Sequence, residues 1–182
     1  IVNIGSNIGL YCILFEKLFP HSKIIGFEPN FLFYKESLKN LKINGCKNIN
    51  IINKAVGKIN SSIFIDNNLI GSSYIIEKKT NNNKPNTKLI TLDDYLIDTK
   101  PDLIFMDVDG FELDVLKGSK NILRYKPILI IEIHPLLLKK NKYDMADIFS
   151  FLKKYHYSAK LLRYPDKFGD HKQIHYLFYP DN

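Results

Sequence analysis

The sequence predicts an α/β protein with a doubly wound, mostly parallel sheet. Short β-branched segments alternate with segments of helical periodicity, as in crossover units around a parallel sheet. The first strand also runs directly into a glycine loop and then into a helical segment, an order typical of nucleotide-binding units. A chain of 182 residues can bury about 70% of its extended surface, so we expect a single domain over residues 1–182.

Five apolar segments are predicted to be the main strands, with helices between them. The strands are 1–4, 23–27, 48–53, 102–107 and 127–133, and the helices lie near 7–18, 30–43, 111–123 and 144–155. Short additional strands are predicted at 61–65, 73–76 and 87–90, and closing strands at 158–163 and 173–179. Thr91 is predicted to cap a helix, with Asp94 as its capping-box partner.

The loop after the first strand contains Gly5, Asn7 and Gly9. A dinucleotide fingerprint requires glycine at the first, third and sixth positions, but Asn7 and Leu10 occupy the last two. A P-loop is excluded because Leu10, Tyr11 and Cys12 stand where Gly-Lys-Ser/Thr is required. The remaining pattern favours a cofactor without phosphates, such as S-adenosylmethionine (SAM), although the glycines could also form a plain tight turn.

The second strand ends in Glu28 and Pro29. An acidic side chain at this point can accept both hydroxyls of a ribose, and we expect Pro29 to turn the chain so that Glu28 faces the ligand edge. Alternatively, Glu28 only complements the dipole of the helix near Asn30, which is worth about 0.3–1 kcal/mol. Asn53, after the third strand, is a candidate contact to adenine because its amide donates and accepts. A plain turn residue is the alternative.

An acidic turn follows the strand 102–107 and contains Asp107, Asp109 and Glu112 around Gly110. Clustered carboxylates raise one another's pKa and hold cations, among them a sulfonium, an amine or a metal ion. Alternatively, Glu112 simply begins a helix. A second set of metal ligands is not visible in the sequence, so no metal site is predicted.

His134 follows the strand 127–133, beside the strand that carries Asp107. An imidazole there could accept the proton of an attacking hydroxyl, which is typically worth 10²–10⁴ in rate. It could instead merely end the strand before Pro135. His171 and His175 lie on a predicted strand, where four residues span about 13 Å, so we do not expect them to share a metal.

Five segments, 2–9, 26–29, 91–94, 107–112 and 132–134, resemble the FkbM family of SAM-dependent methyltransferases in order and spacing. The resemblance extends from residue 1 to about residue 135. It implies the class I methyltransferase fold, with seven strands of which the last is antiparallel, and SAM as the cofactor. The family usually has Asp at the position of Asn3 and Glu at the position of Asp109. Asn3 therefore lacks a carboxylate that would orient the methionine end of SAM, and the side chain of Asp109 is shorter than that of Glu by one methylene.

The residues and the resemblance together give a set of candidate site residues. We expect the cofactor to be bound by Asn3, Gly5, Ser6, Asn7, Gly9, Glu28, Pro29, Asn53 and Asp107. We expect catalysis to involve His134, Asp107 and Asp109. The resemblance implies O-methyl transfer to a hydroxyl of a sugar or other polar metabolite, and hence a small-molecule or glycan acceptor. An inactive SAM-binding domain within a larger protein, or a nicotinamide-dependent oxidoreductase, are the alternatives.

Composition limits which kinds of partner and which cellular location we expect. The net charge is +7, but the lysines are scattered rather than clustered with aromatic residues, so we expect no nucleic-acid partner. The longest apolar run, 127–138, is far shorter than the roughly 20 residues of a membrane span. Two cysteines are too few for a disulfide framework, so we expect a cytoplasmic protein. Because the chain begins without Met and inside a strand, we expect a segment of a longer polypeptide, in which fusion to other domains is open.

Overall fold

The computed structural model describes residues 1–66, 76–77, 84–163 and 173–181. The strands are β1 Val2–Ile4, β2 Ile24–Phe27, β3 Ile49–Ile52, β4 Ala55–Val56, β5 Ser61–Ile65, β6 Ile76–Glu77, β7 Thr87–Ile90, β8 Leu103–Asp107, β9 Ile128–Ile133, β10 Tyr157–Arg163 and β11 Ile174–Pro180. The helices are α1 Leu10–Leu18, α2 Phe31–Ile43, α3 Leu92–Tyr95, α4 Glu112–Lys117, α5 Lys120–Arg124, α6 Pro135–Lys140 and α7 Met145–Lys153.

The main sheet has seven strands in the order β10-β11-β9-β8-β1-β2-β3. Strands β3, β2, β1, β8 and β9 are mutually parallel, whereas β11 is antiparallel to both β9 and β10. The predicted mostly parallel, seven-stranded sheet with an antiparallel last strand is therefore confirmed. The strand order reverses at β1, which lies between β2 and β8. In doubly wound folds, ligands bind at the carboxyl edge beside such a switch point.

Side chains of the central strands alternate between two apolar clusters, one on each face of the sheet. In β8, Ile104 and Met106 pack with residues of α4, α5 and α7, whereas Phe105 packs with Cys12 and Phe15 of α1. This alternation follows from the period of two along a strand. Both faces are covered, as a parallel sheet requires, and each fully buried side chain of this kind contributes roughly 1.5–3 kcal/mol.

A second, smaller sheet has the strand order β4-β7-β5-β6. Its strands β5 and β7 have the bounds predicted from the sequence, 61–65 and 87–90. The predicted strand 73–76 lies outside the described residues except for Ile76, which begins β6. Strand β4 was not predicted because two residues are too short to show a period.

Two helix predictions were wrong in their bounds, and one helix was not predicted. Helix α1 begins only at Leu10 because Asn7 and Gly9 have φ angles of 48° and 85°, which are incompatible with a right-handed helix. The helix predicted over 111–123 is divided at Gly118, where a Cβ would lie 2.0 Å from the carbonyl oxygen of Gly57. Helix α6, which begins directly after His134, was not predicted.

The prediction for Thr91 is confirmed, since its Oγ1 accepts the N–H of Asp94 at 3.1 Å. In a capping box, the side chain of Asp94 would also accept the backbone N–H of Thr91. Here that N–H donates to Oδ1 of Asn60 instead, so the second bond of the capping box is not formed. In the part of the chain that the structure describes, no helix combines the length and apolar character that crossing a bilayer requires.

Candidate functional site

A cleft of about 710 Å³ opens at the carboxyl edge of the main sheet, beside the switch point. This volume lies within the range of about 300–1,000 Å³ that is usual for ligand pockets. The glycine loop and the end of β2 line it with Gly5, Asn7, Glu28 and Pro29, and the acidic turn after β8 lines it with Asp107, Val108, Asp109 and Phe111. The small sheet contributes a wall that includes Ser61, Ser62, Ile63, Phe64 and Leu89.

The glycine loop is fixed to the end of β2 by its backbone. The N–H groups of Gly5 and Ser6 both donate to the carbonyl of Phe27 at 2.9 Å. Gly5 has a φ of 84°, and a Cβ there would lie 1.8 Å from the carbonyl oxygen of Asp107. Gly9 has a φ of 85°, and its Cβ would lie 3.2 Å from that of Ser37. Glycine is thus required because the loop approaches β8 and α2 closely in a left-handed conformation.

Glu28 connects this loop to the start of α2. Its side chain is 2% exposed; Oε2 accepts the N–H of Asn7 at 2.7 Å and Oε1 accepts that of Asn30 at 2.8 Å. Burial raises the pKa of Glu28 to about 7, against the lowering effect of these two hydrogen bonds. Each carboxylate oxygen has a further lone pair, so Glu28 can still accept hydroxyl groups from the cleft.

Asn53 lies next to Glu28, but its amide nitrogen is engaged by the backbone. Its Nδ2 donates to the carbonyl oxygens of Glu28 at 2.8 Å and Pro29 at 3.1 Å. These bonds hold the turn that presents Glu28 to the cleft. Oδ1 is the atom of Asn53 with which the predicted contact to adenine would be made.

Two further predicted cofactor residues have buried side chains. Asn3 is fully buried, and its Nδ2 donates to Sγ of Cys12 in α1 at 3.3 Å. Ser6 is 3% exposed and lies against β2, where a Cβ on Gly26 would be 3.2 Å from that of Ser6. The structure therefore places neither side chain in the lining of the cleft: Asn3 lies in β1 beneath the glycine loop, and Ser6 of the loop packs its side chain against β2.

On the side of β8, the acidic turn that lines the cleft has an unusual backbone. Asp109 has a φ of 47° and Gly110 one of 91°, and a Cβ on Gly110 would lie 2.6 Å from that of Leu137. The carbonyl of Gly110 accepts a hydrogen bond from Nδ2 of Asn141 at 2.9 Å. The turn directs Asp107 and Asp109 towards the same end of the cleft, as the sequence predicted. Burial and the nearby carboxylate of Glu132 raise the pKa of Asp107 to about 7.

His134 lies directly behind these two carboxylates. Its side chain is 3% exposed, and Nε2 is 3.7 Å from Oδ1 of Asp107 and 3.3 Å from Oδ1 of Asp109. It occupies the N-cap position of α6 without capping that helix through its side chain. Burial lowers the pKa of His134, but the hydrogen bond to Glu112 and the surrounding carboxylates outweigh this effect and raise it to about 9.

Two acids of this cluster were missed as site residues. Glu112 is fully buried, and its Oε1 accepts hydrogen bonds from the backbone N–H groups of Gly110 and His134 and lies 2.8 Å from Nδ1 of His134. Glu132 lies two residues before His134 on β9, with Oε1 3.6 Å from Nε2 of His134 and Oε2 2.9 Å from Nε2 of His175. Residues that are two apart on a strand lie on the same face of the sheet. The separation of two between Glu132 and His134 was therefore the signal that could have placed these side chains together.

Comparison with protein-family models matches the methyltransferase FkbM domain over residues 3–159. The chain belongs to the FkbM methyltransferase family. This family uses SAM, so the resemblance and the cofactor predicted from the sequence are confirmed.

Related proteins agree with this assignment of the FkbM domain. Methyltransferase sdnD of Sordaria araneosa is 29% identical over an alignment of 155 residues, and the match covers 65% of this chain and 59% of that protein. Methyltransferase 1 of Beauveria bassiana is 26% identical over 142 residues, with coverages of 65% and 57%. The aligned part thus spans less than two thirds of either relative.

The fold agrees with that of class I methyltransferases of solved structure. Magnesium protoporphyrin IX methyltransferase of Synechocystis PCC 6803, solved with bound SAM, superposes with a TM-score of 0.57 at 11% identity. The match covers 99% of this chain and 69% of that one. At this identity the likeness shows a shared fold.

The cleft of the FkbM domain fits SAM. Glu28 offers free lone pairs to the hydroxyls of a ribose, and its buried negative charge opposes the binding of a phosphate at the same place. The glycine loop brings backbone rather than side chains to the cleft between Glu28 and Asp107. Of the two departures from the family, Asn3 lies beneath the loop, whereas Asp109 lies in the lining of the cleft.

Proposed function

We propose that this FkbM domain catalyses SAM-dependent methyl transfer to the oxygen of a hydroxyl group on a sugar or other polar metabolite. The observation that supports the proposal is that Glu28, Asp107 and Asp109 all line one cleft. When bound, SAM supplies a methyl group that its sulfonium has already activated. The protein has to align the acceptor oxygen with this methyl group and exclude water.

Glu28 and the glycine loop would hold the cofactor. Glu28 accepts the ribose hydroxyls, while Gly5 and Asn7 line the cleft beneath the nucleoside, next to Pro29. Gly9 contributes by allowing the loop to pack closely against α2. Asn53 keeps Glu28 in place through its bonds to the carbonyls of Glu28 and Pro29. Asn3 and Ser6 contribute indirectly, by holding the loop in place. Asp107 lines the cleft from the adjacent strand, where its charge favours the sulfonium.

Asp107 and Asp109 would contact the acceptor, with His134 behind them. Asp107 is one third exposed, with 33% of its side-chain surface accessible, whereas His134 is almost completely buried. The hydroxyl proton would therefore leave the acceptor towards Asp107 and Asp109, with the neutral form of His134 as the base that takes it up. Because the pKa of His134 is about 9, this form becomes more abundant as the pH rises towards 9. Alignment of the reacting groups can supply about 7–11 kcal/mol of the barrier, and a placed base a further 10²–10⁴ in rate.

Polar side chains near this end of the cleft support an acceptor rich in hydroxyl groups. Asn141 and the ion pair of Lys58 with Asp114, at 3.1 Å, line the cleft beside the acidic turn. Ser61 and Ser62 line it from the small sheet. These groups both donate and accept hydrogen bonds, as recognition of a sugar requires.

A transfer assay with SAM carrying a trideuterated methyl group tests this proposal. The purified chain is incubated with matched hydroxyl, amine and thiol acceptors, and products are analysed by mass spectrometry. We expect label on a hydroxyl oxygen, and Asp107→Asn should reduce the rate at least about 10²-fold. The exposed Asp98→Asn is the control. Label confined to amines or thiols, or no transfer to any acceptor despite SAM binding, contradicts the proposal.

A further inference from the structure

The cluster behind the acceptor end of the cleft has a large excess of negative charge. Four carboxylates, those of Asp107, Asp109, Glu112 and Glu132, lie around His134. Even with His134 protonated and all four acids ionised, the net charge of these five groups is −3. Glu112 and Glu132 are buried, and buried like charges are costly unless a cation compensates them.

The buried ring of His134 has its tautomer fixed by Glu112. Because Oε1 of Glu112 already accepts two backbone N–H groups, it is an acceptor, and Nδ1 of His134 donates to it at 2.8 Å. In the neutral ring, Nε2 then carries a lone pair. Nε2 has no hydrogen-bond partner among the described residues and faces carboxylate oxygens at 3.3–3.7 Å. A lone pair facing anions is unfavourable, so either a proton on Nε2 or a bound cation has to lie between this atom and the carboxylates.

We infer that Asp107, Glu132 and His134 bind a divalent metal ion. One donor atom from each of the three lies within 4.8 Å of the other two. Oxygen and nitrogen ligands at about 2.0–2.2 Å from one ion are separated from each other by roughly 3–4.4 Å. Two carboxylates and one imidazole suit ions such as Mn²⁺ or Zn²⁺.

His134 and Glu132 are each held by a further side chain, as metal ligands usually are; that of Glu112 is fully buried and that of His175 is 20% exposed. Glu112 orients the ring of His134 from the side of Nδ1. His175 on β11 is opposite Glu132 in the sheet register, and its Nε2 lies 2.9 Å from Oε2 of Glu132. This contact leaves Oε1 of Glu132 directed towards His134. Asp107 lines the cleft, so an ion at this place can be reached by a ligand.

The ion would bind the acceptor hydroxyl and lower its pKa. This role rests on the proposed function, whereas binding of the ion does not. With an ion bound, His134 is a ligand and no longer the base, and the hydroxyl proton would pass to the carboxylate of Asp109, which lines the cleft and is not one of the three ligands.

Mn²⁺ binding to the full chain after dialysis against EDTA tests the inference. Calorimetry and electron paramagnetic resonance should show one Mn²⁺ per chain. Glu132→Gln and Asp107→Asn should each weaken binding at least tenfold, while Asp98→Asn leaves it unchanged. His175→Asn, which removes only a positioning residue, should weaken it about tenfold.

Circular dichroism identifies any variant that fails to fold, and the inference is then tested with the variants that do fold. An absence of saturable Mn²⁺ binding, or equal binding by both ligand variants and the wild type, overturns the inference.

Transfer assays separate this inference from the proposed function. If Mn²⁺ binds as expected but no hydroxyl is methylated, the metal site stands and the proposed function fails. If methyl transfer to a hydroxyl proceeds equally with EDTA and binding of Mn²⁺ is absent, the proposed function stands and the metal site fails.

Discussion

Nδ1 of His134 and Oε1 of Glu112 form a hydrogen bond of 2.8 Å between two buried side chains. The same Oε1 accepts the backbone N–H groups of Gly110 and His134. One carboxylate therefore connects the acidic turn to the junction of β9 and α6, and the relative position of Asp109 and His134 depends on it.

Glu112→Ala should lower the free energy of unfolding by about 3 kcal/mol or more, because it leaves buried donors without an acceptor at about 1–3 kcal/mol each. Glu112→Gln keeps an oxygen at this position and should cost about 1 kcal/mol. Urea denaturation measures both, with the exposed Glu36→Ala of α2 as the control. Equal stability of Glu112→Ala and Glu36→Ala would show that this carboxylate does not hold the turn.

Gly5→Ala should destabilise the protein far more than Gly45→Ala. Both glycines have a positive φ, of 84° and 68°. A Cβ at Gly45 meets nothing within 4 Å, whereas at Gly5 it would lie 1.8 Å from a backbone oxygen. We expect about 1 kcal/mol for Gly45→Ala, from backbone strain alone, and at least about 3 kcal/mol or failure to fold for Gly5→Ala. Thermal unfolding of the pair tests this, and similar losses would contradict the close approach to β8.

Glu28→Gln should weaken SAM binding about tenfold or more at pH 8, because an ionised acceptor of two hydroxyl hydrogen bonds is replaced by a neutral amide. Titration calorimetry measures the affinity, and Glu36→Gln is the matched control. Unchanged affinity in Glu28→Gln would remove Glu28 from the cofactor site.

Glu28 should also make binding and stability depend on pH in opposite directions. Its pKa is about 7 in the folded protein and about 4.3 in an unfolded chain. Between these values the folded protein holds one more proton, so the free energy of unfolding falls as pH rises, by up to about 4 kcal/mol from this group. SAM affinity should instead increase as pH rises through 7, because the carboxylate becomes charged.

The difference between the wild type and Glu28→Gln isolates these effects from other titrating groups. We expect both slopes to be smaller in the variant when calorimetry and urea denaturation are repeated at pH 5.5, 6.5 and 8. A wild type whose pH dependence equals that of Glu28→Gln would show that Glu28 is ionised throughout this range.

Sequence reasoning identified the residues whose position follows from strand ends. Gly5, Glu28, Asp107 and His134 each follow or end a strand of recognisable pattern, and parallel strands bring such ends together. Pairing of His134 with Asp107 and Asp109 could therefore be predicted.

Other features depended on tertiary contacts that local pattern does not contain. Burial of Glu112 depends on the turn at Gly110, whose left-handed backbone aims the first turn of α4 under His134. The break at Gly118 depends on the backbone of Gly57, which is distant in sequence. The bonds of Asn53 to two carbonyls are likewise set by the approach of β3 to the turn after β2.

Both oxygens of Glu28 are tied to backbone, one to the glycine loop through Asn7 and one to the first turn of α2 through Asn30. Neither segment can shift without breaking a buried charged hydrogen bond. The part of the cleft that we propose to bind the nucleoside is consequently a preformed, stiff unit. Adjustment to acceptors of different shape has to come from the opposite wall, where the small sheet meets the cleft.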